Sequence, residues 1–187
     1  MKEQAKNATV VILAPDGLEV SEKTISLEAV LQSRYEIVES SVIYKWYKKQ
    51  KDVYSFLEEQ NSSTLQITAN DALRSSTEFK CEIEYQVKDE AGIIGEMQKI
   101  SDTIIVTNNN GVSAVKIISN RQEDNIDLYT LNAFTVPARE DVVYKWQDEI
   151  EGEIREIDAT VISIEKTYLC DAYVGEDYLG SDSVTLA

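Results

Sequence analysis

Two tryptophans lie 100 residues apart in nearly the same setting, and each precedes a cysteine in a strand-like stretch. The first set reads Val42-Ile43-Tyr44-Lys45-Trp46, then Phe79-Lys80-Cys81. The second reads Val142-Val143-Tyr144-Lys145-Trp146, then Tyr168-Leu169-Cys170. A tandem copy of one β-rich unit accounts for the match, and such a repeat limits the fold before local propensity does. Residues 1–107 and 108–187 are expected to be the two units, joined by the polar turn Thr107-Asn108-Asn109-Asn110-Gly111. The second unit is tighter: Trp146 to Cys170 spans 24 positions, where Trp46 to Cys81 spans 35. The extra residues of the first unit fall between its Trp strand and the strand around Leu65.

Short runs of period-2 alternation, rich in Val, Ile, Thr and Tyr and broken by polar clusters, run the length of the chain. That is the pattern of half-buried antiparallel strands. In the first unit strands are expected at 8–13, 24–31, 41–49, 64–68, 78–87 and 103–107. Residues 52–59 read as an irregular connection. In the second unit strands are expected at 112–119, 128–136, 141–147, 159–164, 166–174 and 179–186. The alternation puts Phe79, Cys81, Ile83 and Tyr85 inward and Lys80, Glu82 and Glu84 outward. The fold class is therefore all-β.

The chain carries 18 Lys+Arg against 34 Asp+Glu, a net charge of −16. Both halves share the excess, at 12 against 18 in residues 1–106 and 6 against 16 in residues 107–187. Such a surface repels a phosphate backbone, so nucleic acid is not an expected partner. No apolar run approaches the roughly 20 residues that span a bilayer, so membrane insertion is not expected. The start, Met1-Lys2-Glu3-Gln4-Ala5-Lys6-Asn7, lacks the apolar stretch of a secretory signal. With two cysteines, one per unit, an intradomain disulfide is not available. With no histidine, zinc sites and histidine-dependent triads are not expected either.

The Tyr-Lys-Trp-Tyr-Lys stretch of residues 44–48 and the Thr-Tyr-Leu-Cys stretch of 167–170 resemble the immunoglobulin-like (Ig-like) β-sandwich. That family places an inward Trp on one central strand and an aromatic-x-Cys pattern on a facing strand, with a second Cys on an early strand. The short second unit is similar to bacterial and bacteriophage Ig-like repeats. Alignment on the family's early strand puts Ala29 (in Ile25-x-Leu27-x-Ala29) and Ala133 (in Tyr129-x-Leu131-x-Ala133) where the partner cysteines would stand. Each unit keeps one cysteine and replaces the other by alanine. Phe79 lacks the hydroxyl of the family's tyrosine corner, and Tyr168 retains it. The resemblance implies two consecutive Ig-like sandwiches with Trp46, Cys81, Trp146 and Cys170 as structural core.

Candidate chemistry is sparse. Asp148, Glu149, Glu151, Glu153, Glu156 and Asp158 crowd one stretch, which reads as a solvated loop. Calcium would suit such oxygens, but the spacing of a calcium-binding loop is absent. No phosphate-cradling glycine loop or nucleophile elbow is present. No catalytic, cofactor-binding or metal site is expected, and no cofactor. The outward positions Val143, Leu169 and Tyr173 suggest that the second unit carries the more apolar sheet face. The equivalent positions of the first unit are Ile43, Lys45 and Tyr47 beside Lys80, Glu82 and Glu84, where opposite charges can pair across strands. The resemblance implies a non-enzymatic bacteriophage virion component, in tail, baseplate or capsid decoration. It would act as spacer, docking module or weak host-surface adhesin. Expected partners are other virion or surface proteins, or a host-surface glycan or protein. The chain is then made in the host cytoplasm. The alternatives are a binding segment of a bacterial cell-surface adhesin, secreted within a longer protein, and a carbohydrate-binding accessory module resting on Tyr47, Tyr54 and Tyr173.

Overall fold

The computed structural model describes residues 8–21, 23–60, 62–121, 127–162 and 164–187. The chain forms two compact units. One takes the described residues of Met1–Ala72 with Ser76–Asn109, and the other takes Leu73–Ser75 with Asn110–Ala187. The described residues contain no α-helix, and no helix long and apolar enough to cross a membrane.

In the first unit the strands are β1 (Ala8–Leu13), β2 (Ile25–Ser33), β3 (Glu36–Ile37), β4 (Ile43–Gln50), β5 (Val53–Gln60), β6 (Thr64–Ile67), β7 (Ser76–Tyr85), β8 (Val87–Lys88) and β9 (Gln98–Thr107). They pair antiparallel as a β1-β2-β6 sheet, a β5-β4-β7-β9 sheet and a small β3-β8 ladder. Alternation decides which side chains go inward, because successive strand residues point to opposite faces. Val10, Ile12, Ile25, Leu27, Ala29 and Ile67 from the first sheet meet Trp46, Phe79, Cys81, Ile83 and Val106 from the second. Fully burying an aliphatic or aromatic side chain contributes about 1.5–3 kcal/mol, so this layer supplies most of what holds the unit together.

The second unit contains β10 (Ala114–Arg121), β11 (Leu128–Val136), β12 (Val143–Trp146), β13 (Ile154–Asp158), β14 (Lys166–Val174) and β15 (Asp177–Leu186). Its sheets are β10-β11-β13 and β12-β14-β15, again antiparallel. Val115, Leu131, Ala133, Trp146, Ile157, Tyr168, Cys170, Ala172 and Leu186 fill the space between them. The β14–β15 hairpin turns on Gly175 at φ +58°, a conformation glycine adopts without steric cost.

Strand for strand, β1, β2, β4, β6, β7 and β9 correspond to β10, β11, β12, β13, β14 and β15. The strand β5 has no counterpart in the second unit. It is made of the extra residues between Trp46 and Leu65, and this corrects the expectation of an irregular connection at 52–59. Residues 53–57 are Val-Tyr-Ser-Phe-Leu, which suits an edge strand although no period-2 burial marks it. A second correction concerns 159–164. Ala159–Val161 is a single 3₁₀ turn, and the strand lies earlier, at β13. Asp158 ends that strand because its carboxylate accepts the Thr160 N–H at 2.8 Å. The acidic stretch expected as a loop is therefore partly strand. At the other end, β4 starts at Ile43 rather than residue 41, since Glu39–Ser41 forms a 3₁₀ turn whose Ser41 hydroxyl donates to the Val38 carbonyl.

Candidate interaction surface

Each unit has a belt of five residues around its middle. In the first, Trp46 lies directly across from Cys81, and Cys81 across from Asp102. The Asp102 carboxylate accepts the backbone N–H of Ile12 at 3.0 Å, and Ile12 lies across from Ala29. In the second, Trp146 faces Cys170, Cys170 faces Asp182, and Asp182 accepts the Ile117 N–H at 2.9 Å. Ile117 in turn faces Ala133. β1 and β9 sit at the margins of different sheets, as do β10 and β15. A carboxylate thus clasps the two sheets of each sandwich where backbone pairing does not.

Trp46, Cys81 and Cys170 are fully buried and Trp146 nearly so, and both cysteines are free. Burial pushes each thiol up to about 12, so both stay protonated at neutral pH and are poor nucleophiles. The Trp146 indole donates to the Gly152 carbonyl at 2.9 Å. The Trp46 indole N–H is buried without a partner. Ala29 and Ala133 are buried on the facing sheets, where a second thiol would be needed for a bridge.

The outward face of β4, β5, β7 and β9 is a lattice of charges and rings. Lys45 pairs with Glu84 at 3.0 Å, Lys49 with Glu78 at 3.0 Å, and Lys99 with Glu82 at 3.0 Å and Glu84 at 3.3 Å. Lys80 sits 4.3 Å above the Tyr47 ring and 4.7 Å above that of Tyr54, and Phe56 meets Tyr47 edge-on. The Tyr54 hydroxyl donates to Glu78. That bond, and then the one from Lys49, hold the Glu78 carboxyl below its usual range. The Lys45 ammonium does the same for Glu84. Ring faces that a sugar would stack on are taken up here by lysine.

On the second unit the corresponding face is arranged otherwise. Val143 lies directly across from Tyr173, and Tyr173 meets Tyr178 edge-on. Leu169 stands apart: four residues along β14 separate it from Tyr173 by roughly 13 Å of strand. The cross-strand pair Lys145 and Asp171 lies between. Val143 and Leu169 are 41% and 38% exposed. The three expected contact residues therefore divide into one cluster, Val143 and Tyr173, and one outlier. Tyr178 joins the cluster because the β14–β15 hairpin folds it back.

Two carboxylates of the acidic stretch are paired with cations. Asp148 pairs with Arg155, whose guanidinium lies over the Tyr168 and Trp146 rings, and Glu151 pairs with Lys145 at 3.3 Å. Among the described residues no group of three or more carboxylate or thiol side chains is placed to hold a metal ion. Reading the sequence missed the two aspartate clasps, although Ser101-Asp102-Thr103-Ile104 and Ser181-Asp182-Ser183-Val184 repeat one pattern.

Three-stranded and three- or four-stranded antiparallel sheets in this order, with a buried Trp on the first strand of the second sheet, define an Ig-like β-sandwich, present here twice. No family model and no curated protein sequence matches the chain. Among solved structures it is similar to one that explains Dscam isoform specificity (14% identity, 95% of this chain and 46% of that chain, TM-score 0.29). A two-domain fibronectin type III segment of chicken tenascin is similar at 12% identity, over 94% of this chain and 97% of that one, TM-score 0.28. The apo β-glucuronidase 3 of Bacteroides uniformis is similar at 5% identity, over 98% and 25%, TM-score 0.29. The chain spans less than half the length of the Dscam chain.

Proposed function

We propose that this chain is a non-enzymatic structural and interaction protein, a bacteriophage virion component of tail, baseplate or capsid decoration. The observation that carries the reading is the belt built twice from the same residues: Trp, Cys, Asp, Ile and Ala. Its side chains go into holding two sheets together, and its thiols stay protonated in the core. A sandwich clasped by carboxylates rather than disulfides suits folding in a reducing cytoplasm, where virion proteins are made. The cluster of Val143, Tyr173 and Tyr178 is the docking contact in this reading, and its partners are other virion proteins or a host-surface protein or glycan. Particles banded from lysates of a host carrying the gene are expected to contain the chain at fixed copy number by mass spectrometry. Its absence from them overturns the virion assignment. Replacing Val143 by Ser, Leu169 by Ser and Tyr173 by Lys together is expected to abolish incorporation. Particles that still carry the triple variant rule out this face as the contact.

A further inference from the structure

Strands β7 and β9 are joined by an ordered arm, residues 86–97, rather than by a tight turn. The Gln86 N–H donates to the Ser41 hydroxyl at 2.8 Å, and the Gln86 side chain donates to the Gly95 carbonyl at 3.0 Å. Within the arm, β8 pairs with β3, and Gly95 N–H donates to the Val87 carbonyl at 3.0 Å. The Asp89 carboxylate accepts the N–H groups of Ala91 and Ile93 at 2.9 and 2.8 Å. This tied-down arm nevertheless presents Ile93, Ile94 and Met97 to solvent at 65%, 51% and 50% exposure. A cluster of large apolar side chains held out on a fixed loop marks a contact surface, because ordering was completed before any partner arrives.

The same arm lines an open groove of about 980 Å³. Its apolar wall is Tyr35, Val87, Ile93 and Met97, and its acidic fringe includes Glu90 and Glu96. No Lys or Arg is among the described residues lining it. The neighbouring Lys88 is engaged by Glu36. We propose that this groove binds an extended peptide segment of a partner protein in which lysine or arginine alternates with apolar side chains. The apolar residues would seat against Ile93 and Met97, and the cations would meet Glu90 and Glu96. A second copy of the chain, at net charge −16, is disfavoured by like-charge repulsion, as is an anionic lipid surface. The inference rests on the chain being an interaction module. It involves neither the virion assignment nor the Val143 cluster, so particle incorporation and peptide binding fail separately.

The test uses the full chain, amide NMR spectra and two probes: a short peptide alternating lysine with leucine, and one alternating glutamate with leucine. The lysine peptide is expected to shift the amides of Tyr35 and residues 87–98. The double variant Ile93→Ser/Met97→Ser is expected to weaken binding about tenfold, as loss of a central apolar anchor does. Both side chains are exposed, so its thermal midpoint should match the parent's. Glu90→Gln/Glu96→Gln should weaken binding and flatten its salt dependence. Shifts spread over residues 148–158 instead, shifts that survive both double variants, no shift at all, or an equal response to the glutamate peptide would each overturn the proposal.

Discussion

At the residue scale, the two cysteines are the sharpest case of position setting chemistry. Their thiols are pushed up to about 12 by burial, against about 8.5 in an unfolded chain. Folding therefore favours the protonated form. The stabilisation is complete below pH 8.5 and is lost as pH rises from there toward 12. A thiol reagent is expected to leave the native chain unlabelled at pH 7.5 and to label both cysteines in denaturant; fast native labelling would contradict the burial. The aspartate clasps give a second expectation. Asp102→Ala and Asp182→Ala each remove a charged acceptor from a backbone N–H, and each is expected to cost about 1.5–3 kcal/mol in urea unfolding. Asp52→Ala, at an exposed position in the turn between β4 and β5, serves as the control. The Trp and Cys positions were legible because the repeat displays them twice. The aspartates were not, because a charge in a strand normally reads as outward-facing. Their inward aim follows only from the register that sets each one opposite a buried cysteine.

At the scale of the element, period-2 patterning located most strands well, at the margins as well as inside the sheets. The strands β1, β11 and β14 run over the expected residues, and β2 and β7 differ only at their ends. Patterning failed at two of the marginal strands, β5 and β13. β5 packs only along one side and needs no apolar face, so its sequence shows no alternation. β13 was hidden inside acidic residues, and of its five only Ile157 is buried. The charged lattice on β4, β5, β7 and β9 makes a pH prediction. Glu78 and Glu84 sit below the usual carboxylate range, so their stabilisation is present above about pH 4.3 and is lost as pH falls through their lower folded values. The thermal midpoint is expected to drop on acidification below that point. Glu84→Gln should be less stable than the parent at pH 7, with the gap closing at pH 3. A constant gap across that range would exclude an ionic origin. The candidate surface was only partly legible: outward alternation picked out Val143, Leu169 and Tyr173, but the register that sets Val143 across from Tyr173 and the ring contact of Tyr173 with Tyr178 came only from the fold.

At the scale of the whole molecule, charge dominates behaviour in solution. With 34 acidic against 18 basic side chains and an isoelectric point near 4.4, self-repulsion keeps copies apart at neutral pH. Turbidity is expected to peak near pH 4.4 and to be low at pH 7. Duplex DNA should migrate unretarded beside the protein at 50 mM salt, and a retarded band would contradict the charge reading. The carboxylates of Asp102 and Asp182 have a consequence at high protein concentration as well. Each sandwich ends its sheets in open margins, the usual starting points for fibril growth. A foreign strand that displaced β1 or β10 would leave a partly buried carboxylate facing it without its N–H partner. The same two side chains that close the sandwich therefore guard it against stacking margin to margin with its neighbours in a crowded cell.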